Sequence, residues 1–493
     1  MYQLRQKIGF FAGPIVFIVL LFLPPGKGLS PEALKVGAIA SLMTIWWITE
    51  AVPIPATALL PLALFPALGV LSAKEASAPY AHHLIFLFLG GFLIAIAMEK
   101  WNLHRRVALY TIRMVGFSSK RIILGFMVAT GFLSMWISNT ATTMMMVPIG
   151  LAVIKETVEF IKKHDALHID TDRKNFNFGI ALMLGIAYAA SIGGVATIIG
   201  TPPNTILIGF IEQTYKTQVT FGQWMLFGVP LSIVMLFIAW VYLTRFAAPP
   251  EIDELPGGKE LLEREIHKLG KMNKGEKYVL VVFSLVALLW ILHGIFPVGP
   301  KTIHDATIAM AGAILLFLLP VDWKKGIFVL DWKSAVRLPW DVIFLFGGGL
   351  ALAKGFAASG LAKWIGEQLI MLQSLNLILM ILLVVMLAML LTEVTSNTAT
   401  AAIIVPVMGS VAIALHVHPF LLIIPAAVAA SYAFMLPVAT PPNAIVFGSG
   451  YLSIPKMARI GVILNIIGTI LITIMVKFVL PLIWNLQTPV GLK

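Results

Sequence analysis

Ser134-Met135-Trp136-Ile137-Ser138-Asn139-Thr140-Ala141-Thr142 and Thr392-Glu393-Val394-Thr395-Ser396-Asn397-Thr398-Ala399-Thr400 carry one signal twice: a Ser-Asn-Thr triplet set inside a long apolar run. Ser138 and Ser396 lie 258 positions apart. The same interval separates Ile85-Phe86-Leu87-Phe88 from Ile343-Phe344-Leu345-Phe346, Gly90-Gly91 from Gly348-Gly349, and Pro148 from Pro406. Each triplet is followed by a second shared break, Gly200-Thr201-Pro202-Pro203-Asn204 and Ala439-Thr440-Pro441-Pro442-Asn443. Landmarks held in register over so long an interval define an internal repeat.

Composition sets the medium. Of 493 residues, 59% are hydrophobic and 12% charged, which excludes an ordinary soluble domain and predicts many bilayer crossings. The net charge of +12 sits in short loops between apolar spans, so it is a topology signal and no nucleic-acid partner is expected. The absence of cysteine excludes disulfides, thiolate metal sites and a cysteine nucleophile, and leaves the redox compartment open. Arg5 and Lys7 followed by an apolar run resemble a signal peptide. Only Pro24-Pro25-Gly26-Lys27 follows, without a small-x-small cleavage site, so the segment is read as a retained helix.

The predicted fold is an all-α polytopic membrane protein with about 11 transmembrane helices and two re-entrant hairpins. Residues 1–33 hold an N-terminal transmembrane helix. Residues 34–245 form a first repeat with a hairpin at 118–155 and a broken helix at 200–204. A cytoplasmic linker spans 246–277, and 278–493 form a second repeat with a hairpin at 376–415 and a broken helix at 439–443. A hairpin returns to the side it entered and adds no net crossing, so five crossings separate the starts of the two repeats, which are therefore inverted. With the N-terminus inside, 26 of 35 Lys and Arg fall in cytoplasmic segments, which places the C-terminus outside the cell membrane.

A helix ending at mid-membrane exposes carbonyls, and one beginning there exposes N–H groups. Ser, Asn and Thr cap such ends; the oxygens suit a small hard cation and the N–H ends an anion. Two prolines in Thr-Pro-Pro force the complementary break. A lone triplet is ordinarily helix–helix glue, but four broken elements in two inverted repeats describe a secondary transporter. Glu50, Glu99 and Asp341 are read as interfacial, and His82, His83, His416 and His418 as outer-loop residues without evident metal geometry. Glu393, one turn before a triplet, is a buried charge either of structural or of functional kind. The glycine clusters mean close packing, and no GxxxxGK[ST] motor or HExxH site is present. The chain is not read as an enzyme.

The paired triplets and Thr-Pro-Pro breaks, the Trp46-Trp47-Ile48-Thr49-Glu50-Ala51-Val52-Pro53 entry and Phe86-Leu87-Phe88-Leu89-Gly90-Gly91-Phe92 resemble the divalent anion/sodium symporter family of dicarboxylate and citrate carriers. The resemblance covers nearly the whole chain. It implies a homodimer with a scaffold and an elevator-like transport domain, symporting C4-dicarboxylates such as succinate, malate and fumarate with sodium. A sodium-independent dicarboxylate exchanger of the same fold is the alternative. By motif, one sodium site would use Ser134, Ser138, Asn139 and the Gly200 carbonyl. The other would use Thr392, Thr395, Asn397 and the Ala439 carbonyl. Substrate would lie against Ser138, Asn139, Thr140, Thr201, Pro202, Ser396, Asn397, Thr398, Thr440 and Pro441. Sodium is the only coupling ion implied, and no other cofactor.

Overall fold

The computed structural model describes residues 3–163, 169–254, 258–296, 303–368, 375–484 and 486. Two apolar helices open the chain, α1 (Leu4–Phe22) and α2 (Pro31–Thr49), packed along each other. Ser30 caps α2 by accepting from Ala33 N, with proline at the first helical position where its missing N–H costs nothing. The apolar stretch after α2 forms two short helices, Ile54–Thr57 and Leu60–Ala67, because prolines at 53, 55, 61 and 66 interrupt it.

The first half continues with α3 (His83–Lys100), the amphipathic α4 (Leu103–Val115) and α5 (Ser119–Ser134). After the first triplet come α6 (Asn139–Lys163), α7 (Asn177–Gly194), α8 (Pro202–Tyr215) and α9 (Phe221–Tyr242). Next are the linker helix α10 (Gly258–Leu269), α11 (Lys274–Ile295) and α12 (Asp305–Leu318). The second half repeats the order of the first as α13 (Trp340–Ser359), α14 (Leu361–Gln368), α15 (Leu377–Val394), α16 (Asn397–Ala414), α17 (Phe420–Ala429), α18 (Pro441–Phe447) and α19 (Ile454–Ile474). Both α9 and α19 run on into a single wide helical turn, Leu243–Ala247 and Met475–Val479. Among the described residues the departures from an all-helical chain are a small ribbon pairing Pro320–Asp322 with Ile327–Phe328 and an isolated bridge between Ser118 and Glu254.

Nine helices among the described residues are long and apolar enough to cross a bilayer. The most buried is α7, which sits at the centre with every residue from Phe178 to Gly194 enclosed. Glycines govern the close crossings. A Cβ on Gly90 would lie 2.6 Å from the Ala309 backbone, and one on Gly348 2.3 Å from the Ala58 carbonyl oxygen, so the paired glycine clusters are helix-packing sites.

Within the polar segment 246–277, residues Gly258–Leu269 fold into a helix that packs on the body. This helix, α10, lies on α4 and α6 through Arg105–Glu265, Arg113–Glu263 and Arg264–Glu156 pairs. Arg106, 7% exposed, bonds Glu276 through Nε at 2.9 Å and Nη2 at 3.3 Å, and also donates to the carbonyls of Leu269 and Gly270.

Candidate functional site

Two helices stop short inside the apolar core, and both do so beside a triplet. In the first half α5 ends at Ser134 and α6 begins at Asn139, leaving four residues between them. Helix α5 crosses α7 so closely that a Cβ on Gly193 would sit 2.1 Å from the Gly131 carbonyl oxygen. That approach delivers Ser134 Oγ to the Ala190 carbonyl, to which it donates at 2.8 Å. The Asn139 carboxamide reaches 2.5 Å from Ser134 Oγ, 3.1 Å from the Ala190 oxygen and 3.2 Å from the Gly200 oxygen, with its NH2 best placed facing all three. Gly194 closes the cluster: a Cβ there would lie 2.6 Å from the Asn139 carboxamide and 3.0 Å from the Gly200 oxygen.

The second half builds the same figure. Thr392 Oγ1 donates to the Ala430 carbonyl at 2.7 Å and lies 2.6 Å from Asn397 Oδ1. Ser134 and Ala190 thus have counterparts in Thr392 and Ala430. The sequence reading named Ser134, Asn139, Gly200, Thr392 and Asn397 but not the Ala190 and Ala430 carbonyls. Their only trace is the recurring Ala189-Ala190-Ser191 and Ala429-Ala430-Ser431. Thr395 stands apart, its hydroxyl bonded to the Leu391 carbonyl at 2.8 Å and to Thr400 at 2.6 Å. Ala439 is buried, and its N–H donates to the Leu436 carbonyl.

The remaining triplet residues line the exposed lip of these clusters. Ser138 is exposed and caps α6 by accepting from Ala141 N at 3.2 Å; Thr140, Ser396 and Thr398 are half-buried. The prolines open helices rather than interrupt them. Pro202 and Pro441 occupy the first turns of α8 and α18, where their fixed φ is already helical, and the unwound chain lies before them. Asn204 clasps the first unwound stretch by donating to the carbonyls of Val195 (3.1 Å) and Thr197 (2.7 Å). Asn443 does the same for the second at Ala433 and Leu436, both 3.0 Å. Thr440 caps α18 through Asn443 N at 3.2 Å, whereas Thr201 instead meets Ser431 Oγ at 3.4 Å across the two halves.

Among the described residues Glu393 has no basic partner. Its carboxylate accepts from the N–H groups of Phe434 (2.9 Å), Met435 (3.0 Å) and Leu436 (3.0 Å) and from Asn465 Nδ2 (2.7 Å). It therefore fixes the unwound stretch beyond Ala430. The first half has Met135 at this position and uses Thr197 instead, whose hydroxyl donates to the Met135 carbonyl and accepts from Gly200 N.

A model of the sodium:sulfate symporter transmembrane region matches residues 5–485. The chain belongs to the sodium:sulfate symporter family. It is a membrane transporter and not an enzyme. Among its relatives are the sodium-dependent dicarboxylate transporters SdcS of Staphylococcus saprophyticus and Staphylococcus aureus. The first is 47% identical over the whole chain and 95% of the relative. The second is 48% identical over 99% of the chain and 94% of the relative. Two solved transporters share the fold at low identity: Alcanivorax borkumensis YdaH (TM-score 0.58, 12% identity, 92% of this chain and 99% of that one) and Neisseria gonorrhoeae MtrF (TM-score 0.54, 13% identity, 95% of each).

Proposed function

We propose that this symporter imports C4-dicarboxylates, such as succinate, malate and fumarate, together with sodium. The observation that carries this reading is the pair of matched oxygen clusters, Ser134–Asn139–Ala190–Gly200 and Thr392–Asn397–Ala430, each at a helix break in the core. Hydroxyl, carboxamide and carbonyl oxygens are the donors that hard cations take. In the first cluster, a half-turn of the Asn139 carboxamide exchanges its NH2 for its oxygen, so the same cage accepts either the amide N–H or a cation. A sodium ion is thus read by a residue whose next neighbours, Ser138 and Thr140, face the substrate.

The substrate side follows from the same geometry. The α6 and α16 N-termini offer unpaired N–H groups and positive dipole ends, and the triplet hydroxyls add donors. Residues 122–154 contain no charged side chain and 376–415 only Glu393, so no lysine or arginine balances the anion there. Bringing two carboxylates into such a site is costly unless cations accompany them. Two tips would take one carboxylate each, which suits a dicarboxylate.

The movement we propose is of the elevator kind. Helices α5–α8 and α15–α18 would form the transport domain and the remainder the scaffold, in a homodimer. Eleven crossings and two re-entrant hairpins in inverted repeats would put the N-terminus in the cytoplasm and the C-terminus outside. The crosswise packing of α6 on α18 and of α16 on α8 supports one body made from both halves. Uptake of labelled succinate into proteoliposomes tests the reading. An inward sodium gradient is expected to drive accumulation, and equal uptake without sodium against internal succinate would instead identify an exchanger.

A further inference from the structure

Far from the triplets, three elements bring ligand-type side chains to one point. His82 and His83 stand at the start of α3, and Glu212 lies in the last turn of α8. One donor atom from each of the three lies within 4.8 Å of the others. His83 Nε2 is already 3.3 Å from Glu212 Oε2, and the two imidazoles of His82 and His83 are 4.6 Å apart. The ring of His304, just before α12, lies 5.3 Å from that of His83. His82 Nδ1 accepts from Leu84 N, which leaves its Nε2 free to bind. All are half-buried, and His82 borders a cleft of about 370 Å³ that gives an ion a way in.

We propose that His82, His83 and Glu212, with His304 beside them, form a site for a divalent transition metal such as Zn2+. Two imidazoles and a carboxylate are a zinc donor set that keeps a fourth position for His304 or water. Zinc–ligand bonds of about 2.0–2.1 Å place tetrahedral ligands about 3.4 Å apart, so modest side-chain rotation closes the site. Lys216 and Lys354 line the same cleft, and each ammonium is held on a backbone carbonyl, of Gln213 and Glu75. Glu212 supplies the negative charge that offsets them.

The site has a mechanical consequence. Helices α3 and α12 are locked together at Gly90 and Ala309, whereas α8 packs on α16 and begins at the Thr201 break. Fourteen helical residues make α8 a rod about 20 Å long, with the break at one end and Glu212 at the other. A metal bridging Glu212 to His82 and His83 pins that rod to the α3–α12 pair. Occupancy therefore slows transport, a consequence that rests on the proposed elevator reading while the metal site itself does not.

Co2+ titration of the purified full-length protein is the direct test, with visible d–d absorption as the readout. Wild-type protein should develop the bands, and Zn2+ should bleach them by displacement. His83→Gln and, as a second variant, Glu212→Gln should weaken binding by about tenfold or more. In proteoliposomes Zn2+ should slow succinate uptake several-fold in wild type, reversibly with chelator, and leave variants that retain metal-free uptake unaffected. Absence of the Co2+ bands overturns the site even if no transport is measurable. Equal zinc inhibition of both variants, or Co2+ binding with undiminished wild-type uptake, overturns the pin.

Discussion

Asn139 and Asn397 are the residues on which the two clusters turn, since each carboxamide touches the preceding hydroxyl and opens a helix whose N–H groups face the lip. Asn139→Ala and Asn397→Ala are each expected to lower sodium-driven succinate uptake below detection while the protein elutes and melts like the wild type. Near-normal uptake by both would move the binding site elsewhere. Ser134→Ala and Thr392→Ala remove one oxygen each, and should raise the sodium concentration for half-maximal uptake more than they change succinate affinity at saturating sodium. These side chains were legible because Ser, Asn and Thr are conspicuous in apolar runs. The Ala190 and Ala430 carbonyls were not, because a backbone oxygen carries no residue-type signature. Thr395 looked equivalent to Thr392 in one dimension, yet its hydroxyl turns back to Leu391 and Thr400.

At the scale of elements, what holds each break open is as specific as the break. Glu393 gathers three consecutive N–H groups of the unwound stretch after Ala430, which is a structural role written in hydrogen bonds. Buried N–H groups left without acceptors cost about 1–3 kcal/mol each. Glu393→Ala should therefore lower the melting temperature clearly and abolish uptake, and Glu393→Gln, which keeps one acceptor oxygen, should fall between. A Glu393→Gln protein with wild-type melting but altered pH dependence of uptake would instead make this carboxylate a working proton site. Apolar runs broken by a triplet located the helices on either side of each triplet, but the sharp contact of α5 with α7 rests on Gly131 and Gly193, which no motif distinguished. Gly193→Ala should fail to assemble this crossing, read as loss of folded protein, because the obstructing atom is backbone and cannot rotate away. The segment 246–277 was legible as a polar linker; that Gly258–Leu269 in it form α10, and that Glu276 is buried against Arg106 from 170 residues away, was not. Breaking such a buried pair costs about 3–5 kcal/mol, so Arg106→Ala should unfold well below the wild-type temperature.

Across the whole molecule the two clusters are tied to each other without substrate. Tyr188, two residues before Ala190, donates its hydroxyl to the Phe434 carbonyl at 2.8 Å, and Phe434 belongs to the stretch that begins at Ala430. Thr201 and Ser431 make a second, longer link. On the proposed reading, sodium in one cluster would fix the backbone on which the other is built, and linkage requires the effect to be reciprocal. Succinate uptake should therefore rise with sodium along a curve whose Hill coefficient exceeds one. Tyr188→Phe deletes the shorter link while leaving every cluster oxygen in place. It should bring the Hill coefficient down toward one and leave maximal uptake at saturating sodium largely intact. The modest loss of stability from the abandoned Phe434 carbonyl, about 1–3 kcal/mol, is measurable separately by melting. An unchanged Hill coefficient in a correctly folded Tyr188→Phe protein would remove the tyrosine from the coupling path and leave the dicarboxylate itself, spanning the two tips, as the connection between the ions.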